Sequence, residues 1–391
     1  MIYLDNAAST QIRREVLEII NNELINSFAN PSSPYSLARS SRLAIDQSRK
    51  IFADTLNCNE SEIIFTSGGT ESDNTAIKGP AHALKNLGNH IITTSTEHHA
   101  VLHTCNNLEK QGYEITYLPT DEFGMVSKDD VISAIKPNTI LISVIYANNE
   151  LGSINPIKEI GEAIKKLKDN NSQFPLFHTD AVQAASFLDL DVKKLGVDLM
   201  SLSAHKFNGP KGIGVLFMKN GVPFEPLITG GGQERQKRSG TENIAFISGS
   251  AEAIKLSENE KTVNYDKCFF LKNKIINHLK EQQPNVLING HPKLNLPNMI
   301  NLTFPDVRAD DLISALDLED ICISNGSACT SNSLEPSHVL KAIGMDADLA
   351  LNTVRISLGR DNTEDEITQF LNILDKIVKR IRDNKKEFIR K

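Results

Sequence analysis

Glu62-Ile63-Ile64-Phe65-Thr66-Ser67-Gly68-Gly69-Thr70-Glu71-Ser72 sets a short apolar run against two glycines and a polar start of helix. Glycines after a strand let the backbone approach a ligand closely. The helix that follows, expected from Thr70 to about Leu87, points its free N–H groups and the positive end of its dipole at that place. Hydroxyls of Ser67 and Thr70 could add bonds to an anion. No Gly-Lys-Ser/Thr follows and the spacing is not Gly-x-Gly-x-x-Gly, so neither nucleotide loop is present. A tight turn with a helix cap accounts for the same residues without any ligand.

Outward from this turn, apolar runs alternate with helical patterns. Strands are expected at Ile91 to Thr94, Tyr113 to Leu118, Thr139 to Ile145, Leu176 to Thr179, Leu199 to Leu202 and Gly212 to Met218. Helices are expected at Ala100 to Gln111, Ser127 to Ile135 and Ile157 to Leu167. Ser127 is an N-cap with Asp130 three residues on. Strands apolar on both faces and separated by helices belong in a mostly parallel sheet covered on both sides. The pattern loosens from Pro223 to Glu242. Helices at Ile244 to Glu258, Lys267 to Gln282, Asp310 to Leu318, Pro336 to Ile343 and Thr363 to Ile381 then alternate with strands at Val286 to Ile288, Met299 to Phe304 and Thr353 to Ser357. This second half reads as a smaller α/β domain. Pattern alone does not say where the first dozen residues pack.

A chain of 391 residues exceeds the size at which one core stops growing, which predicts two domains. A net charge of −7 gives no support for nucleic-acid binding. The five cysteines form no Cys-x-x-Cys pair, which argues against a disulfide scaffold or a metal centre. No basic leader and no apolar stretch of membrane-spanning length appears, so a protein of the reducing cytosol is expected.

Three further stretches carry chemistry. Asp180 ends an apolar strand in Phe177-His178-Thr179-Asp180-Ala181-Val182-Gln183, where ligands of open α/β sheets gather. A carboxylate there either holds a cationic ring nitrogen or caps the next helix. Lys206 lies in the glycine-rich turn Ser203-Ala204-His205-Lys206-Phe207-Asn208-Gly209. A lysine in such a cleft can lose its proton and form a Schiff base, although a surface turn is the commoner setting. Cys329 sits among small polar residues in Ser324-Asn325-Gly326-Ser327-Ala328-Cys329-Thr330-Ser331, unlike Cys322, which has isoleucines on either side. Such a loop suits a reactive thiol. An acid, a lysine and an anion cradle are together the parts that a pyridoxal-phosphate site requires.

The chain resembles the class V aminotransferase-fold cysteine desulfurases of the NifS/IscS-like group. The resemblance is carried by Tyr3-Leu4-Asp5-Asn6-Ala7-Ala8-Ser9-Thr10, Ser67 to Asn74, Thr96-Glu97-His98, Asn148-Asn149-Glu150-Leu151-Gly152 and Asp180 to Gln183. It continues at His205-Lys206, Gly209 to Gly212, Arg238-Ser239-Gly240-Thr241, Ser327 to Thr330 and Arg355 to Arg360. It implies the type I fold of pyridoxal-phosphate-dependent transferases, an α/β architecture. The large domain, residues 15–245, would hold a mostly parallel seven-stranded sheet. Residues 1–14 and 246–391 would form the small domain, with a catalytic loop at about 322–336.

By the same resemblance, Lys206 would bond the cofactor aldehyde, Asp180 would pair with the ring nitrogen and Gln183 would bond the ring hydroxyl. His98 would stack on the ring, and Lys206, or else His98, would move protons to and from the substrate carbon. Gly69, Thr70, Ser203 and His205 would hold the phosphate, with Thr241 donated across a homodimer interface. Asn149 and Arg355 would bind the substrate carboxylate, and no residue would bind metal. The implied reaction takes L-cysteine to L-alanine while the Cys329 thiolate takes the sulfur as a persulfide. An acceptor, such as an iron–sulfur scaffold or a thiolation partner, would then receive it. Housekeeping bacterial members carry a longer tail for docking a scaffold, whereas this chain stops at Lys391. The stretch Lys168 to Gln173 reads as a surface extension. Rival readings are a selenocysteine lyase, a true aminotransferase, which needs no loop cysteine, and a cofactor-less interaction protein that keeps the fold.

Overall fold

A computed structural model describes residues 1–168, 174–325 and 335–389, with side chains described to residue 385. The first part of the chain contains β1 (Ile2–Tyr3), α1 (Arg14–Asn26), α2 (Ser36–Leu56), β2 (Ile63–Thr66), α3 (Gly69–Ala83), β3 (His90–Thr94), α4 (His99–Glu109), β4 (Glu114–Leu118), α5 (Lys128–Ser133) and β5 (Thr139–Ser143). Then come α6 (Ile157–Lys168), β6 (Leu176–Asp180), α7 (Val192–Leu195), β7 (Leu199–Ser203), β8 (Gly214–Met218) and α8 (Ile244–Asn259). The remainder holds α9 (Lys261–Gln282), β9 (Leu287–Asn289), β10 (Met299–Thr303), α10 (Ala309–Asp317), β11 (Ile321–Cys322), α11 (His338–Ala342), α12 (Ala347–Ala350), β12 (Thr353–Ser357) and α13 (Glu364–Ile389).

The expected seven-stranded sheet is present, in the order β2-β8-β7-β6-β5-β3-β4. It is parallel from β7 to β4, and β8 runs antiparallel to both of its neighbours. Side chains alternate between its faces at period two. Ile63, Phe65, Ile92, Ile142, Phe177 and Phe217 enter one core with residues of α1, α2, α6 and α8. Ile64, Ile91, Leu141, Leu176, Leu199 and Leu216 enter the other with residues of α3 and α4. Each fully buried side chain of this size contributes roughly 1.5–3 kcal/mol. Because β2 and β5 to β7 run in one sense, Thr66, Ser143, Asp180 and Ser203 all end their strands at the same edge of the sheet.

The second core unites β10 and β12 with α9, α10 and α13. Ile2 and Leu4 pack there too, and β1 pairs in parallel with β11. The N-terminal segment then crosses to the large sheet, where the Thr10 N–H donates to the His205 carbonyl at 2.9 Å. Ile247, Ala251 and Ile254 of α8 lie in the first core. A boundary at residue 245 therefore cuts this helix away from the body with which it packs.

Several helices differ from expectation, and α9 starts at Lys261 rather than Lys267. α3 ends at Ala83 rather than near Leu87. Pro80 removes one donor from its last turn, and the chain folds into a turn in which the Leu87 N–H donates to Leu84 at 2.8 Å. α13 runs beyond residue 381, and Arg382 on it pairs with Asp306 at 2.9 Å. α1 and α2 were not expected from the pattern before Glu62.

The loosely patterned stretch before α8 is pinned by an unusual contact. Glu234, Arg235 and Gln236 have φ of 45°, 57° and 65°, a left-handed conformation that costs side-chain-bearing residues roughly 1–2 kcal/mol each. Glu234 meets Arg49 in a two-pronged pair at 2.7 and 2.9 Å and accepts the Phe65 N–H at 2.9 Å. Both charges are almost wholly buried. Glu234→Ala leaves the guanidinium uncompensated and is expected to cost about 3–5 kcal/mol in urea unfolding. A loss within measurement error would show that the pair does not hold this turn.

Candidate active site

Strand ends and the crossing N-terminal segment enclose a cavity of about 230 Å³ lined by Ala7, Gly69, His98, Asp180, Lys206 and Arg355, among others. Thr70, Asn149, Gln183, Ser203 and His205 line it as well, so the expected site residues other than Thr241 and Cys329 converge there. Thr241 does not line the cavity and is exposed. Cys329 lies outside the described residues.

Lys206 ends a short 3₁₀ turn after β7, and its Nζ donates to the carbonyls of Ala7 at 2.6 Å and Ala8 at 2.9 Å. Gln183 Nε2 donates to the same Ala7 carbonyl at 2.9 Å. Asp180 ends β6 and accepts the Val182 N–H at 2.9 Å. Burial lifts its carboxyl to about 6, opposed by that N–H and by the Lys206 charge.

His98 caps α4 through Nδ1, which accepts the Ala100 N–H at 3.1 Å, so a neutral ring carries its proton on Nε2. Burial, then the Lys206 charge, hold this imidazole down at about 4. His205 is also held at about 4, by burial, then Lys206 and Lys211, and its Nδ1 lies 3.2 Å from Ser9 Oγ. Both rings are neutral at pH 7.

At the anion end, α3 begins at Gly69. A Cβ there would stand 3.0 Å from Val182 Cγ2 and 3.4 Å from Ser203 Cβ, so the helix N-terminus packs closely here and a side chain would require Val182 to give by a few tenths of an ångström. Glu71 ties this turn down, accepting the Ser67 N–H at 2.7 Å and pairing with Arg238 at 2.9 Å. On the opposite wall the buried Arg355 donates to the Asn149 carbonyl and to Asp5 Oδ1, both at 2.8 Å. Asn149 Oδ1 is buried without a hydrogen bond among the described residues.

Several site residues went unread in the sequence. Ala7 and Ala8 matter through their carbonyls, which no side-chain pattern reveals. Asp73, Glu97 and Glu150 lay within quoted motifs, but their depth in the fold did not show. Glu97 is fully buried and is raised to about 8 by burial. Glu150 accepts from Ser337 Oγ at 2.5 Å, and His338 Nε2 donates to the Glu97 carbonyl at 2.9 Å. Ser337 and His338 follow the segment that contains Cys329. On its other side, Ser324 exchanges backbone hydrogen bonds with Arg355. Both flanks of that segment are thus tied to residues of the cavity.

The sequence pattern of the aminotransferase class-V family matches residues 2–370. The "Cysteine desulfurase IscS" of Methanosarcina thermophila is 48% identical over 382 residues, covering 98% of this chain and 93% of that protein. Human "Cysteine desulfurase" is 40% identical, covering 98% and 82%. Among solved structures, a "NifS-like protein" superposes with a TM-score of 0.90 at 35% identity, covering 97% of this chain and 99% of that one. "SspA in complex with cysteine" does so at 0.80 and 37%, covering 93% and 100%. The chain belongs to the aminotransferase class-V family, whose enzymes depend on pyridoxal phosphate. Its near-full-length relatives put it among that family's cysteine desulfurases.

The donor set fits this cofactor. An amine stands in the cavity wall, a buried carboxylate and a neutral imidazole lie beside it, and a helix N-terminus with hydroxyl and imidazole donors closes one end. The ligand atoms of His98 and Asp180, with those of Asp73, lie within 4.8 Å of one another.

Proposed function

We propose that the chain desulfurates L-cysteine, releasing L-alanine and holding the sulfur as a persulfide on Cys329 for an acceptor. One observation carries this reading. The Lys206 amine, the Asp180 carboxylate and the Arg355 guanidinium line one cavity, and both flanks of the Cys329 segment are bound to that cavity's residues.

Bound pyridoxal phosphate supplies an aldehyde that captures amines and a ring that accepts electrons from the substrate carbon. Lys206 would hold the cofactor and move protons at that carbon. Asp180 would face the ring nitrogen, His98 would cover the ring and Gln183 would bond its hydroxyl. Gly69, Thr70, Ser203 and His205 would receive the phosphate. Arg355 and Asn149 would take the substrate carboxylate, to which the guanidinium fork offers two parallel donors. The Cys329 thiolate would take the substrate sulfur.

Thr241 would complete the phosphate site of a second copy. Its exposure and its anchored approach through Glu234 and Arg238 support a homodimer, as do the exposed Ile25, Phe28 and Leu43. The sulfur acceptor would be an iron–sulfur scaffold or a thiolation partner. No helix among the described residues is long and apolar enough to cross a membrane, and Cys58, Cys105, Cys268 and Cys322 are free thiols. Both facts accord with a cytoplasmic site of action.

The reading is tested by incubating loaded protein with L-cysteine and reductant, then measuring alanine and sulfide. Equal release of both supports it, and alanine without sulfide refutes it. Arg355→Lys keeps the charge but loses the fork, and is expected to raise KM for L-cysteine about 10- to 100-fold, equivalent to losing a charged hydrogen bond. An unchanged KM would remove Arg355 from substrate binding.

A further inference from the structure

A second carboxylate lies behind Asp180 and has no part in the scheme above. Asp73, near the start of α3, is 1% exposed, and its Oδ1 makes no hydrogen bond among the described residues. Its ligand atom and that of Asp180 are within 4.8 Å of each other.

The groups around it offer little countercharge. His178 Nε2 stands 3.7 Å from Asp73 Oδ1. Its ring nitrogens bond instead to Ser143 Oγ at 2.9 Å and Ser201 Oγ at 3.0 Å, and burial holds it down at about 3. It is therefore a neutral imidazole at pH 7. His98 is neutral for the same reason. Glu97 adds a third acid, itself raised by burial. Among the described residues Lys206 is the cation that acts here, and it favours the charged form of Asp180. Two carboxylates this close and this buried do not both ionise.

We infer that Asp73 and Asp180 hold one proton between them, that Asp73 keeps it at neutral pH, and that Asp180 is thereby the single anion presented to the cofactor ring nitrogen. Asp73 is then a positioning residue that acts through Asp180. The direction agrees with the surroundings. Burial, then the Asp180 charge, push the Asp73 carboxyl well above its ordinary range against the opposing pull of Ser201, whereas the Val182 N–H and Lys206 restrain the rise of Asp180. The inference rests on the proposed role of Asp180.

Asp73→Asn, close in shape and without a titratable proton, is the test. In the wild type the unfolded chain releases the Asp73 proton near pH ~4 while the folded chain retains it. Stability from this group is therefore present at low pH and lost as pH rises. Urea unfolding of the full-length chain from pH 5 to 7 is expected to show the Asp73→Asn variant gaining on wild type by about tenfold in the folding equilibrium per pH unit. A difference independent of pH would overturn the inference, because lost packing alone gives a constant offset.

Infrared spectra of wild type with isotope-labelled aspartate give a second reading that does not require the variant to fold. At pH 7 a labelled protonated-carboxyl stretch is expected, and its absence overturns the inference. Asp180→Asn in loaded protein separates the two assignments. If it changes the cofactor's absorption while Asp73 shows no proton, only the shared proton falls. If the absorption is unchanged, the role of Asp180 falls.

Discussion

Lys206→Ala is expected to lose its yellow colour on dialysis and to form alanine from L-cysteine at least about 10²- to 10⁴-fold more slowly, the range for losing a positioned proton-transfer group. The amine donates to two backbone carbonyls in the cavity wall, those of Ala7 and Ala8. A lysine placed in such a cleft can bond a carbonyl carbon. The same two bonds also tie the N-terminal segment to the large sheet, so alanine could act by loosening that segment. Lys206→Arg separates these effects. It keeps a cation for Ala7 and Ala8 but offers no amine to an aldehyde. Absorption spectra and alanine assays of both variants check this. Activity in the Lys206→Arg variant would show that the role of Lys206 is structural.

Cys329→Ala has the second large expected effect. The variant should bind cofactor and L-cysteine with the wild-type spectral change on mixing, yet release no sulfide and accumulate no alanine. The reason is one of electron accounting. Forming alanine leaves the electron pair of the carbon–sulfur bond on carbon, so the sulfur must pass to a nucleophile, and a thiolate that becomes a persulfide is the acceptor proposed here. None of the described cysteines substitutes readily. Burial raises Cys58 and Cys268 to about 12 and holds Cys105 higher still, all far from the thiolate form at pH 7. Cys322 pairs through β11 with the N-terminal strand and is also raised by burial. Full turnover of L-cysteine by the Cys329→Ala variant, measured as the corresponding 2-oxo acid formed against time with the sulfur retained, would favour the aminotransferase reading.

The large sheet was legible because its strands are buried on both faces and read as near-continuous apolar runs such as Thr139 to Ser143. Strand ends therefore fell within a residue or two, and with them Asp180 and Ser203. Helix ends were less legible. α3 stops where a turn and Pro80 compete with good helix formers, and α13 extends because a tertiary pair at Arg382 supports polar residues that carry no apolar period. α1 and α2 gain their order from packing on α8, a partner about two hundred residues away in sequence, which local pattern does not encode. The site divided in the same way. Residues whose chemistry is unusual for a turn, Lys206 above all, stood out at once. Asp73 and Glu97 are ordinary acids in sequence and become significant only through their depth. The backbone carbonyls that receive Lys206 have no signature.

The most direct measurement is the intact mass of the full-length, cofactor-loaded protein after anaerobic mixing with one equivalent of L-cysteine, with fragment masses to locate any change. The proposed account predicts a gain of one sulfur atom, placed on the fragment containing Cys329, in step with one alanine formed. Alanine appearing while that fragment keeps its original mass, or sulfur found on another cysteine, would contradict it.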